Sequence, residues 1–258
     1  DTQKREAVID FTGTSAQQTN NYNAPLAVCH AAVLYVFRTL VGTDIPLNAG
    51  CLKPLKIIAP ENSMIHPKPP AAVISGNTEV SQAITDCLFG ALGVIAGSQA
   101  TMNNFVWGTE EFQNYDTICG GAGAGPDFPG ASAVQIHMTN TRSTDPEVLE
   151  KRFPVRIEQF SIRRGSGGNG KFRGGDGCIR NMRALVPMKV TVLSSHRITQ
   201  AFGLNGGEPG AVGINEVYRV DGTTVRLGGN DEIDLEAGDV FSVQTPGAGG
   251  SGKPTDPT

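Results

Sequence analysis

Val155-Arg156-Ile157-Glu158-Gln159-Phe160-Ser161-Ile162-Arg163 reads as a strand, and it opens a region in which short apolar runs recur between Gly and Asp-Gly punctuation. Further strands are predicted at 178–185, 189–193, 216–220, 224–227, 232–235 and 240–244, with Asp221-Gly222 as a hairpin turn. Residues 155–258 are therefore expected to form an all-β, mostly antiparallel, sandwich-like module. Residues 1–154 carry mixed α/β patterns, so the expected fold class is α+β with two parts, 1–154 and 155–258.

Outward from that stretch, the opening residues alternate Val8, Asp10 and Thr12 against Ile9 and Phe11, as a strand does. Ala24-Pro25-Leu26-Ala27-Val28 starts a helix, and Leu34, Phe37 and Leu40 keep helical spacing until Gly42. A second helix follows Asn77 and Thr78, with Val80, Ile84, Leu88 and Leu92 on one stripe. Residues 134–138 read as a strand, Thr139-Asn140-Thr141-Arg142 as a turn, and 146–152 as a helix capped by Thr144 or Asp145. The tract Gly120-Gly121-Ala122-Gly123-Ala124-Gly125-Pro126 either crosses close to another backbone or moves.

The 258 residues hold 33 Gly and 39% hydrophobic residues, enough for a buried core. A net charge of −4 removes the electrostatic footprint of a nucleic-acid binder. No apolar run is long enough for a membrane span, and the first residues are not expected to be a signal peptide. Cys29, Cys51, Cys87, Cys119 and Cys178 are odd in number and sit in apolar runs, which predicts reduced core thiols and a cytoplasmic setting.

Local motifs mostly yield structural readings. Gly165-Ser166-Gly167-Gly168-Asn169-Gly170-Lys171-Phe172 fits GxGxxG and the start of a phosphate loop. Phe172 stands where a magnesium-binding hydroxyl belongs, however, and no helix follows, so a connection between strands is expected. His30, His66, His137 and His196 are too far apart for a local metal motif. His30 reads as a core or interface residue and His66 as a loop residue. Ser195 and His196, as strand neighbours, would face opposite ways. Glu79 and Asp86 read as structural. His137, Asn140, Thr141 and Arg142 leave a strand end together, either as a polar ligand site or only as the cap of the next helix.

Several ordered stretches resemble the C-terminal portion of the hydantoinase B/oxoprolinase family, its ATP-dependent oxoprolinase branch most of all. They include Asp10-Phe11-Thr12-Gly13-Thr14, Asn23-Ala24-Pro25, Met102-Asn103-Asn104, the 120–126 tract, His137-Met138-Thr139-Asn140-Thr141-Arg142, Phe172-Arg173-Gly174-Gly175-Asp176-Gly177 and Thr245-Pro246-Gly247. The resemblance implies a hydrolase that opens a cyclic amide, 5-oxoproline to glutamate. A hydantoinase A-type subunit or domain would bind ATP and activate the lactam carbonyl, and the upstream half of the hydantoinase B-type part would hold a divalent metal ion. Neither ATP nor metal is then expected on this chain, which alone would be inactive within a homo- or hetero-oligomer. His137, Asn140, Thr141 and Arg142 become the candidate substrate contacts, with Asn103 and Asn104 next, and no residue is assigned a catalytic step. Other lactams, hydantoins, ketone carboxylation, or a non-catalytic assembly module are the alternatives. Departures from the family pattern are Ala248 and Ser251 near the end and Ser194-Ser195-His196-Arg197.

Overall fold

In the computed structural model, which describes residues 1–254, alternation decides the strands as the sequence predicts. Strand β6 (Gly177–Ala184) buries Cys178, Arg180, Met182 and Ala184, and β7 (Met188–Leu193) buries Met188, Val190 and Val192. Side chains alternate across a pleated strand, so each strand gives one face to the core. With β5 (Val155–Arg163), β8 (Ile214–Tyr218), β9 (Thr224–Leu227) and β11 (Val240–Gln244), β6 forms an antiparallel sheet ordered β5-β6-β11-β8-β9. A second antiparallel sheet, β10-β7-β3-β4, joins β7 to β10 (Asn230–Leu235), β3 (Asn104–Gly108) and β4 (Gln113–Thr117).

Strands β3 and β4 were not predicted, and they move the expected division of the chain. The compact units are residues 1–88 and 89–258, not 1–154 and 155–258. The reason is register: Phe105 pairs with Val192 and Trp107 with Val190, so 104–117 belongs to the β module. Residues 255–258 of the expected module lie outside the described residues. A strand predicted at 134–138 shrinks to a single bridge between Gly120 and Val134.

The core of the larger unit joins Phe105, Trp107, Leu149, Val155, Met182, Val190, Val217, Leu235 and Phe241, all buried. Helix α3, counted third in the chain (Pro146–Arg152), contributes Leu149. Asp145 caps it by accepting from the Glu147 and Val148 amides at 2.9 and 3.3 Å. Trp107 meets Phe153 edge-on at 5.2 Å, the geometry in which a positive ring edge faces a negative ring face.

Glycine-rich segments of this unit lie side by side without forming ladders. Gly121 donates to Pro246 at 3.2 Å, Ala122 to Ala131 at 2.9 Å and Ala124 to Gly249 at 3.1 Å, while Gln99, Gly175 and Ala96 donate back to Gly121, Ala122 and Ala124. Neighbouring residues of one segment thus bond to different partners, unlike a β pair. A Cβ on Gly123 would stand 1.8 Å from the Ala96 carbonyl oxygen, and one on Gly175 would stand 1.9 Å from that of Ala131. Of the two fates open to the 120–126 tract, close crossing is the one observed. The 165–170 segment does connect β5 to β6 and is woven into the same bundle, with the Gly168 amide on the Ala248 carbonyl at 2.8 Å.

The smaller unit pairs β1 (Ala7–Asp10) in parallel with β2 (Leu55–Ile58), burying Ile9 as the alternation predicts. Helix α1 (Leu26–Leu40) forms where the spacing predicts and buries Cys29, Ala32, Val33 and Val36, with Leu34 and Phe37 half-buried. The small side chains take the inner face, and Leu40 is 41% exposed. A π turn at Gly76–Val80 leads into α2 (Ser81–Ala91), where Val80, Ile84 and Leu88 are buried. Leu92 lies past the helix end and is exposed. All five cysteines are free. Cys87, on the outer face of α2, is exposed and Cys51 half-buried, so only Cys29, Cys119 and Cys178 are the expected core thiols. Among the described residues no helix is long and apolar enough to cross a membrane.

Candidate functional site

Strand β4 is an edge strand, and its last two residues carry polar side chains that the turn after Val134 uses as an anchor. Asp116 Oδ1 accepts from the Thr144 amide at 3.3 Å and from its hydroxyl at 3.2 Å. The Thr117 hydroxyl is bonded to that of Thr141, and the Thr117 carbonyl accepts from Gln135 Nε2 at 3.1 Å and from the Ser143 hydroxyl at 3.3 Å. Both Asp116 and Thr117 are buried. The segment from Gln135 to Thr144 is thus stitched to the sheet at four residues. Its middle, Asn140, Thr141 and Arg142, is left exposed.

His137 is half-buried, takes a positive φ of 39°, and stacks on Phe89 with ring centroids 5.3 Å apart. A left-handed backbone at a non-glycine residue costs energy and persists only where the surroundings hold it. Four of the six candidates therefore sit together on one anchored turn. Asp145, not Thr144, makes the helix cap, so capping does not use Asn140 or Thr141.

Asn103 and Asn104 are buried, and Asn104 pairs in register with Thr117. Asn103 Nδ2 donates to Gln99 Oε1 at 2.7 Å and to the Ile118 carbonyl at 3.0 Å, while its Oδ1 accepts from Arg197 Nη2 at 2.9 Å. Asn104 donates to the Leu193 carbonyl at 2.8 Å and accepts from the Tyr115 hydroxyl at 2.7 Å. Both amides are engaged by protein partners, which is the arrangement buried amides require. Ser194-Ser195-His196-Arg197 is a bend following β7 rather than strand. There Arg197 joins Asn103 to Asn215 Oδ1 at 3.0 Å, and His196 Nδ1 lies 2.8 Å from the Thr199 carbonyl.

Sequence reasoning passed over Asp116, Thr117 and Arg180. Arg180, 1% exposed, crosses between the sheets to Asp116 Oδ2 at 3.1 Å, and Phe160 covers its guanidinium at 5.2 Å. Its Nε and Nη1, with Gln135 Oε1, are buried without a hydrogen-bond partner among the described residues. The one available signal was Arg180 at a core position of the β6 alternation; Asp116 and Thr117 offered none. Two surface hollows, about 720 Å³ over β3, β7 and β10 and about 540 Å³ around Ser194–Thr199 and Arg226–Gly229, contain none of the six candidates.

No three His, Cys, Asp or Glu side chains gather at a point among the described residues. In the 165–170 segment the Gly167 amide donates to Asp176 Oδ1 at 2.7 Å and the Gly168 amide to the Ala248 carbonyl at 2.8 Å, two donors that a phosphate loop would leave free.

Comparison with known proteins agrees with this reading of the fold. The chain is 47% identical over 252 residues to 5-oxoprolinase 1 of Arabidopsis thaliana, covering 98% of this chain and 20% of that protein. It therefore spans about a fifth of that relative's length. The crystal structure of an ATP-dependent caprolactamase from Pseudomonas jessenii shares the fold with a TM-score of 0.82 at 21% identity, over 96% of this chain and 46% of that one. The nucleotide-free structure of acetone carboxylase does so with a TM-score of 0.85 at 19% identity, over 97% and 40%. The family model for hydantoinase B/oxoprolinase matches residues 1–254, and the chain belongs to that family.

Proposed function

We propose that this chain is the C-terminal portion of the hydantoinase B-type part of an ATP-dependent 5-oxoprolinase, in which 5-oxo-L-proline is hydrolysed at its lactam C–N bond to glutamate. The 47% identity to a 5-oxoprolinase across nearly the whole chain carries the substrate assignment. An unstrained lactam is a poor electrophile, so its opening by water needs an activated carbonyl oxygen. The nucleotide and divalent metal that such activation calls for are left to other parts of the enzyme. Both are assigned to neighbouring polypeptide, a hydantoinase A-type subunit or domain and the upstream half of the hydantoinase B-type part, within a cytoplasmic oligomer.

This chain's contribution is the anchored turn. Arg142, exposed and charged, pairs with the substrate carboxylate, for which a guanidinium offers two parallel donors. Asn140 donates to an oxygen of the reacting amide. Thr141, tied to Thr117, holds the turn in place, and His137 sets its entry through the Phe89 contact.

The test is glutamate release by the complete enzyme supplied with ATP and 5-oxoproline. Arg142→Ala should raise KM for 5-oxoproline by roughly 10- to 100-fold with kcat little changed, the loss of a charged hydrogen bond, and Arg142→Lys should recover part of it. Turnover of caprolactam or a hydantoin without 5-oxoproline would defeat the substrate assignment. Bicarbonate-dependent ATP use with a ketone would make the enzyme a carboxylase. Unaltered kinetics with weakened subunit association in Arg142→Ala would leave the turn an assembly contact.

A further inference from the structure

We propose that Cys119 and Cys178 form an oxidisable dithiol that closes to an intramolecular disulfide and fastens the two sheets of the larger unit together. Their sulfurs stand 3.8 Å apart, and the Cys178 thiol also reaches the Cys119 carbonyl oxygen at 3.1 Å. A disulfide bond is about 2.0 Å long, so about 1.8 Å of adjustment closes it. Cys119 follows β4 in one sheet, and Cys178 lies in β6 of the other. No other cysteine shares the cluster, and no third ligand makes it a metal site among the described residues.

The two thiols are unequal, which sets the order of events. Cys119 is 8% exposed and Cys178 1%, so a small oxidant meets Cys119 first. The side-chain contact with Cys178 draws the Cys119 thiol below its ordinary pKa against the effect of burial, and the Arg180 guanidinium assists. The same contact, with burial, pushes Cys178 up. A thiolate is the nucleophile in sulfur oxidation. With a hydroperoxide as oxidant, the Cys119 thiolate attacks one peroxide oxygen, the O–O bond breaks, and hydroxide leaves and takes up a proton. The Cys178 sulfur then attacks the sulfenic sulfur, the S–S bond forms, and the S–O bond breaks. The Cys178 proton leaves with the hydroxide as water. Two thiols lose two electrons, and hydrogen peroxide becomes two waters.

The complete protein, purified reduced, is treated with hydrogen peroxide, denatured with excess iodoacetamide, digested and weighed. The expected product is a Cys119–Cys178 cross-linked peptide pair 2 Da lighter than the two thiol peptides together, lost again on treatment with dithiothreitol. Cys178→Ser should stop the reaction at a Cys119 sulfenic acid that dimedone labels, and Cys119→Ser should leave Cys178 reduced. Recovery of both cysteines carbamidomethylated after peroxide, or of a Cys119 sulfinic acid without the cross-link, overturns the proposal. The wild-type mass alone decides it if either variant fails to fold.

Discussion

Asp116 holds three groups at once: the Arg180 guanidinium between the sheets, and the amide and hydroxyl of Thr144 at the end of the candidate turn. Replacing it by alanine strands a charge that is 1% exposed. Breaking a buried pair in this way costs about 3–5 kcal/mol. Urea unfolding of Asp116→Ala should therefore show a midpoint far below wild type, whereas Asp116→Ala with Arg180→Met should regain much of the loss. Glu158 is the contrasting case at the surface. Hydrogen bonds from Arg183 at 2.6 Å and Arg156 at 3.1 Å hold its carboxyl below the ordinary 4.5. A depressed carboxyl stabilises the fold fully above the unfolded value and loses that contribution as pH falls through the folded one. The stability gap between wild type and Glu158→Gln should stay under about 1 kcal/mol near neutrality, as exposed pairs do, and close below pH 4.5.

Helix α3 shows how much a short element owes to its ends. Seven residues cannot stay helical on propensity alone, so the Asp145 cap, Pro146 at the start and the buried Leu149 carry it. Asp145→Ala should cost about 1 kcal/mol by denaturant titration. Because α3 follows the candidate turn directly, hydrogen exchange at 141–144 should quicken in the same variant. The helix and β5 were legible, and the cap to within the pair Thr144 and Asp145, since Asp-Pro-Glu and a nine-residue strand are strong local signals. Strands β3 and β4 were not, because Asn104, Gly108, Gln113, Asn114 and Asp116 are poor strand formers. Their pairing is decided by Val190 and Val192 some eighty residues later. The candidate turn could be found from its own residues, but its anchors Asp116 and Thr117 lie on an element the local pattern does not announce.

Across the larger unit, side-chain packing and backbone packing divide the work. Between the sheets, order comes from apolar burial. Among the glycine-rich segments it comes from amide–carbonyl bonds so closely laid that a methyl group has no room. Gly123→Ala should abolish recovery of folded protein, since the added carbon meets backbone that cannot swing aside. Gly42→Ala, with nothing within 4 Å, should stay within about 0.5 kcal/mol of wild type. Glycine abundance was visible in the composition. Which segment lies against which was not, because glycines carry no pattern of polarity from which neighbours can be read. The genetic code makes this region hard to vary. All glycine codons begin GG, and any single-base change at either G writes a residue bearing a β-carbon or a stop, so for codons such as that of Gly123 only the third base is free to drift.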